Sequence, residues 1–355
     1  MKKHSLFENS TSIHRHGENR ENTKIITDTF YSEYSRIILI YKGRFICKNS
    51  QLHQYRLSEL LDSTQLNSHK SQFINARENR RLPTDTIYLG KDELSNISVS
   101  DSAIFLGSKS TDSIGEIKNH LFVVSLDHSI ALDDEIERLD SRSLASSSDS
   151  NKLDIIFYTQ GLISWHFNHQ FCAKCGSETK SNNSGHSRLC LSSTCSKEHF
   201  PRIEPAVIFS ICNKASNTHP EDRILLARQN SWPEKRYSVI AGFVEHGESL
   251  ENAVVREAYE EVGLQVTNVN YLGAQPWPFP ASLMIGFTSE TTDQEIRLID
   301  KELECAQWFS ASDIKREVKS GELLLPFSIS ISWRILDHWY RQQTGESIRS
   351  LKEHV

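Results

Sequence analysis

The chain has 355 residues, enough for two or three domains at roughly 150 residues each. Apolar residues make up 37 % and charged residues 24 %, which excludes a wholly disordered chain, and no apolar run approaches the roughly 20 residues of a membrane-spanning helix. A formal charge of −6 argues against a protein whose main task is coating nucleic acid.

Residues 1–25 are polar, lack an apolar targeting core, and are expected to be disordered. Residues 26–150 predict a small mixed, mostly β domain, with β-rich runs at Ser35–Tyr41, Asp85–Leu89, Ala103–Leu106 and Leu121–Leu126. Ser141–Ser150 holds six serines in ten residues and reads as a linker. Residues 151–204 read as a helix, broken near Gly161, followed by a cysteine cluster. From 205 to 345 strands and helices alternate. Strands are expected at Ala206–Ile211, Arg223–Ala227, Ser238–Phe243, Leu283–Phe287 and Ala306–Phe309. Helices are expected at Leu250–Val262, Asp313–Lys319 and Ile329–Gln342.

Four of the seven cysteines fall close together as Cys172-x2-Cys175 and Cys190-x4-Cys195. Two cysteine hooks on either side of a hairpin-sized spacer can place four thiolates tetrahedrally around one Zn²⁺. A closed four-sulfur shell leaves no open position, so the ion would be structural. His186 and His199 are alternative ligands, but four cysteines suffice. An odd cysteine count without a secretory signal suits a reducing, intracellular compartment. The cytoplasm is expected, with the nucleus and the peroxisome as alternatives.

The most informative stretch runs from Gly242 to Leu264. At about 100° per residue, Glu257 and Glu261 lie about 40° apart on a helix, with Glu260 about 60° to the other side. Like charges so spaced repel, and bound cations are the simplest reason to keep them. All-oxygen ligation suits Mg²⁺ or Mn²⁺. Val254, Ala258 and Val262 would anchor the opposite side of the helix to a sheet. Glu248 lies in the preceding loop, where it can brace Arg256, and Gly263 suits a helix end. Downstream, Gln275-Pro276-Trp277-Pro278-Phe279-Pro280-Ala281-Ser282 has three prolines that favour extended backbone. Its two aromatic faces suit stacking on a flat ring.

Gly242-x5-Glu248-x7-Arg256-Glu257-Ala258-x-Glu260-Glu261-x-Gly263-Leu264 resembles the Nudix box. Together with the cysteine ribbon, Ala241-Gly-Phe-Val-Glu245 and the Gln-Pro-Trp-Pro-Phe-Pro-x-Ser run, it is similar to the NADH pyrophosphatase branch of the Nudix hydrolases. That resemblance implies an α/β/α sandwich behind a zinc ribbon and an N-terminal domain. It also implies hydrolysis of the pyrophosphate of NADH or NAD⁺ to nicotinamide mononucleotide and AMP, and removal of 5′ NAD caps from RNA. Carried over residue by residue, Glu257, Glu260, Glu261, Glu302 and the carbonyl of Ala241 would hold two or three Mg²⁺ or Mn²⁺ ions. Glu304 is the alternative to Glu302. Glu261 or Glu260 would take the proton from water, and Arg256 would orient a box glutamate. Phe200, the run Gln275–Ser282 and Ser332 would contact substrate. The branch commonly has Tyr at position 200 and Ser at 274, where this chain has Phe200 and Ala274. A homodimer is implied by the resemblance alone. Other readings of the same residues are a Nudix hydrolase of ADP-ribose or diadenosine polyphosphates, and a non-catalytic module that binds dinucleotides or nucleic acid.

Overall fold

The computed structural model describes residues 21, 28, 30, 32–41, 43–56, 58–59, 103–110, 117–126, 136–148, 150–217, 219–299 and 301–351. The expectations for residues 1–20 and for a strand at Asp85–Leu89 lie outside the described residues. The chain divides into two compact units between Arg202 and Ile203, with Pro278–Ala281 belonging to the first.

In the first unit, β1 (Ser35–Tyr41), β2 (Arg44–Lys48), β3 (Gln51–Leu52), β4 (Ala103–Ser110), β5 (Ile117–Leu126) and β6 (Ile136–Leu139) build one sheet. Its order is β3-β2-β1-β5-β4, with β6 paired to β2. The middle of β1 is covered on both faces, since Ile37, Ile38, Leu39 and Ile40 are all buried. This explains an unbroken aliphatic run in place of alternation. Strand β1 runs parallel to β5, with Ile37 opposite Phe122.

The serine-rich stretch expected as a linker is instead a helix, α1 (Ser141–Ser147). Asp140 caps it by accepting from the backbone N–H groups of Arg142 and Ser143, and Leu144 and Ala145 are buried. The outer serines are satisfied within the helix, Ser146 Oγ donating to the carbonyl of Arg142 and Ser147 Oγ to that of Ser143. One cap and two apolar positions outweigh the low helix propensity of serine. Helix α2 (Ser150–Asn168) continues through Gly161 without a break. A small sheet of β7 (Thr179–Asn182), β8 (Ser187–Cys190) and β9 (Glu198–His199) follows.

The second unit comprises β10 (Glu204–Asn213), β11 (Arg223–Arg228), β12 (Ile240–Phe243), α3 (Leu250–Val262), β13 (Thr267–Trp277), β14 (Ser282–Thr291), β15 (Cys305–Ser310), α4 (Ala311–Ser320) and α5 (Ile331–Thr344). The sheet order is β13-β14-β10-β11-β15, with β12 paired to β10. Strand β10 shows how the layers form. Val207, Phe209 and Ile211 share a core with Val254, Ala258 and Val262 of α3. Ile208 and Cys212 join the other core with Ile314 of α4 and Ile335, Leu336 and Trp339 of α5. Successive side chains point to opposite faces, so helices cover both and the unit is an α/β/α sandwich. Strand β13 was not among the expected strands. It is half-exposed and carries Pro276, which an edge strand tolerates because it need not donate on its outer side.

Candidate metal and substrate site

The glutamate-rich helix is set by its ends. Ser249 Oγ accepts from the N–H of Asn252 at the start of α3, and Gly263, at φ 70°, donates its N–H to the carbonyl of Tyr259 at the end. Buried Val254, Ala258 and Val262 fix its rotation against the sheet. Across from it, β12 pairs with β10, placing Val207 opposite Gly242 and Ile208 opposite Ala241. A Cβ on Gly242 would run into the carboxylate of Glu257. The box glycine therefore leaves room for the carboxylate of the helix glutamate to lie close against the strand.

Arg256 organises the loop and the first turns of the helix. Its Nη2 donates to Glu248 Oε1 at 2.7 Å and to the carbonyl of Phe243 at 2.8 Å. Its Nε donates to Glu248 Oε2 at 3.2 Å, and Nη1 reaches Glu257 Oε1 and Glu260 Oε2, each at 2.8 Å. All five guanidinium hydrogens are thereby used. Glu248 also accepts from the N–H of Glu245 at 2.7 Å, which ties the loop back on itself. The hydrogen bond from Arg256 holds Glu248 below the usual carboxylate range.

Glu257 behaves oppositely. Burial raises its carboxyl above the ordinary value despite the opposing pull of Arg256, and Glu260 and Glu302 add repulsion. Glu302 is exposed just before β15. Glu304, by contrast, pairs with Arg228. Glu261 is 4 % exposed, whereas the side chain of Glu260 is 49 % exposed. All-oxygen donors of this kind suit a hard divalent cation, but the carboxylates do not converge as the cysteines do, and Arg256 engages those of Glu257 and Glu260.

The four cysteines do converge. Their sulfurs all lie within 4.8 Å of one another, and among the described residues this is the cluster of three or more ligating side chains. Cys172 and Cys195 sulfurs are 3.8 Å apart, and those of Cys175 and Cys190 are 3.5 Å apart. Tetrahedral ligation at about 2.3 Å per bond requires sulfurs about 3.8 Å apart, so the cluster fits Zn²⁺. The hooks turn alike: Gly176 after Cys175 has φ 75°, and Ser196 after Cys195 has φ 44°. The wider second gap is accommodated by bonds from the N–H groups of Cys195 and Ser196 to the carbonyl of Ser192. His199 Nε2 lies 3.2 Å from Cys172 Sγ, so it touches the cluster from outside. His186 Nδ1 instead faces the hydroxyl of Tyr158 at 3.5 Å.

The proline-aromatic run divides. Gln275, expected to touch substrate, is 5 % exposed and otherwise engaged. Its Nε2 donates to the carbonyl of Ile329 and its Oε1 accepts from the N–H of Ile331, both at 2.7 Å. It secures the start of α5. Phe279, also expected to stack on substrate, belongs to the first unit. There it stands edge-on to Phe157 at 5.8 Å, with the guanidinium of Arg142 over its ring at 4.7 Å. One face of its half-buried ring is therefore taken by Arg142. Pro278 is buried in that unit, while Pro280 is exposed and Ala281 half-buried. Pro276 is exposed and Trp277 half-buried on β13, opposite Leu283 and Ser282 respectively. Ser332, 5 % exposed, shares a 2.6 Å hydrogen bond with Ser238. Phe200, in the first unit, is 65 % exposed. The roles of Gln275, Ser238 and Arg142 were hidden in the sequence, because each depends on a partner more than 50 residues away.

Residues 205–325 match the NUDIX domain family, and residues 168–200 match the NADH pyrophosphatase zinc ribbon domain. The NAD-capped RNA hydrolase NudC of Mycobacterium bovis (strain BCG / Pasteur 1173P2) is 41 % identical over 212 residues, covering 57 % of this chain and 65 % of that protein. The protein of the same name from Mycobacterium tuberculosis (strain ATCC 25618 / H37Rv) gives the same identity and coverage. The NAD-capped RNA hydrolase NUDT12 of Homo sapiens is 34 % identical over 197 residues, covering 53 % of this chain and 41 % of that one. The chain thus spans less than two thirds of these relatives' lengths. Residues 205–325 of this chain are a Nudix domain, and residues 168–200 are a zinc ribbon of the NADH pyrophosphatase kind.

Proposed function

We propose that this chain is a divalent-metal-dependent diphosphatase that hydrolyses the pyrophosphate of NADH or NAD⁺ to nicotinamide mononucleotide and AMP, and that it also removes NAD caps from RNA 5′ ends. The observation that carries the chemistry is the approach of Glu257 to Gly242 beside buried Glu261. The observation that favours the substrate is the pairing of a Nudix domain with this zinc ribbon, together with the names of the similar proteins.

In this reading Glu257, Glu261, Glu302 and the Ala241 carbonyl hold two or three Mg²⁺ or Mn²⁺ ions. Such ions neutralise charge on the phosphates and make water more acidic. Glu260 is cast as the general base, because its carboxylate faces solvent while Glu261 is enclosed. Arg256 holds Glu260 and Glu257 in fixed rotamers and braces the loop through Glu248. Trp277 and Ser282 contact the dinucleotide, while Gln275 acts only by securing α5. Phe200, Pro276, Pro278, Pro280, Ala281 and Ser332 are proposed as substrate contacts on the resemblance alone. One structural Zn²⁺ is held by Cys172, Cys175, Cys190 and Cys195. Reduced thiols suit a cytoplasmic protein, and homodimerisation is carried over from the resemblance for light scattering to test.

The direct experiment is a kinetic panel of NADH, NAD⁺, NADPH, ADP-ribose, a diadenosine polyphosphate and NAD-capped RNA with Mg²⁺ or Mn²⁺. NADH or NAD-capped RNA should give the highest kcat/KM. A higher value for ADP-ribose or the diadenosine compound would reassign the substrate without touching the metal site.

A further inference from the structure

The four thiolates of the ribbon carry four negative charges, and Zn²⁺ cancels two. The remaining charge on the sulfurs needs hydrogen-bond donors if the ion is to stay bound in a partly enclosed site. Cys172 is 3 % exposed, and the donor at 3.2 Å from its sulfur is the Nε2 of His199, a side chain 27 residues away.

His199 is firmly placed. It lies opposite Arg188 in the β8–β9 pair. Its neighbour Glu198 accepts from Asn182 Nδ2 at 2.9 Å, Asn183 Nδ2 at 3.0 Å and Ser187 Oγ at 2.5 Å. On the other side of Glu198, the carbonyl of Lys197 accepts from the N–H of Cys190 at 2.9 Å. The short strand β9 is thereby stitched to both the turn and the second cysteine hook. The imidazole reaches Cys172 from a backbone that has little freedom to move. A thiolate can only accept, so Nε2 carries the proton.

We propose that His199 belongs to the zinc centre as the side-chain donor that stabilises the Cys172 thiolate, and that it sets how tightly the ion is held without being a ligand. This goes beyond the diphosphatase reading and does not depend on it. It also explains why a histidine so near the cluster need not displace a cysteine. The four sulfurs already meet tetrahedral spacing, and the imidazole bonds to one of them from outside.

The test uses the full-length protein and needs no substrate. Zinc is removed and returned under reducing conditions. Affinity is measured by competition with a chromogenic chelator for wild type, His199→Ala, His199→Gln and Cys172→Ser. His199→Ala should still bind one Zn²⁺ per chain, with affinity lower by roughly 10- to 100-fold. His199→Gln, whose amide can donate to the same sulfur, should recover part of that loss even if the alanine variant folds poorly. Cobalt(II) in place of zinc should give the same four-sulfur charge-transfer spectrum in wild type and His199→Gln. Unchanged affinity in both histidine variants would make His199 a bystander and overturn the proposal. A cobalt spectrum that changes its ligand set in His199→Gln, while Cys172→Ser keeps full zinc binding, would make His199 a ligand and overturn it equally.

Discussion

Gly242 carries the most exacting demand on a single residue. Any side chain there meets the Glu257 carboxylate, which is the mobile end of a flexible chain and can yield without breaking the sheet. Gly242→Ala should therefore leave thermal stability within a few degrees of wild type while lowering kcat by roughly 100-fold or more, the scale of losing a precisely aimed charged group. Circular dichroism and a steady-state assay check the two halves. A mutant that melts early would show that the glycine serves the fold rather than the carboxylate. Glu260 makes a second residue-level prediction. Glu260→Gln should lower kcat by about 100-fold or more without weakening Mn²⁺ binding, whereas Glu261→Gln should weaken Mn²⁺ binding measurably by calorimetry. Helix spacing made the glutamate cluster legible. It could not show that Arg256 spends all five donors on the loop and two glutamates, because a rotamer network depends on where β12 lies.

At the level of elements, two joints bear weight. Gln275 bridges β13 to the start of α5 through the carbonyl of Ile329 and the buried N–H of Ile331. Gln275→Leu should lower unfolding free energy by about 1–3 kcal/mol through the groups left unpaired, as read from urea titration. If kcat falls and stability does not, the residue contacts substrate after all. The second joint ties α2 to β8. His166 Nδ1 faces Arg188 Nη1 at 2.9 Å, and its Nε2 meets the carbonyl of Gly185 at 2.7 Å. Burial, aided by Arg188 and His169, pushes the imidazole from 6.5 down to about 4, against the opposing bond to Gly185. It is therefore neutral when folded, accepting from Arg188 and donating to Gly185. The unfolded histidine takes up a proton first, so the contribution is complete above pH 6.5 and is lost as pH falls towards 4. The loss is roughly 3 kcal/mol over that window. Replacing His166 by Gln should flatten the stability profile between those limits relative to wild type. Identical slopes would mean the ring is protonated in the folded state. Alternation and caps made β10, α3 and α5 readable, and Trp333, Leu336 and Trp339 of α5 are indeed buried. The helix in the serine run escaped notice because its stability comes from Asp140 and two buried side chains rather than from propensity.

On the scale of the whole molecule, the two units pose different physical problems. The first holds a short ribbon with little apolar core of its own, and a zinc ion would supply cohesion that packing does not. Chelation should loosen that ribbon, seen as faster amide exchange at Cys172–Cys190, before the Nudix domain is affected. The second closes two hydrophobic cores around one sheet and projects its carboxylates from the loop–helix joint. The Nudix unit was legible from sequence because its chemistry and its fold share one contiguous motif. The N-terminal sheet was legible only as β-rich, since its parallel β1–β5 pairing joins strands some 80 residues apart. Among the described residues, no helix is long and apolar enough to cross a membrane.

The most direct measurement is AMP release from NADH by the purified chain in Mn²⁺, with Glu257→Gln assayed beside it. Wild type should yield AMP and reduced nicotinamide mononucleotide in equal amounts, and the variant should be folded yet slower by roughly 100-fold or more. Equal rates for the two proteins, or NADH bound but never split, would contradict a metal-bearing carboxylate at the centre of the chemistry.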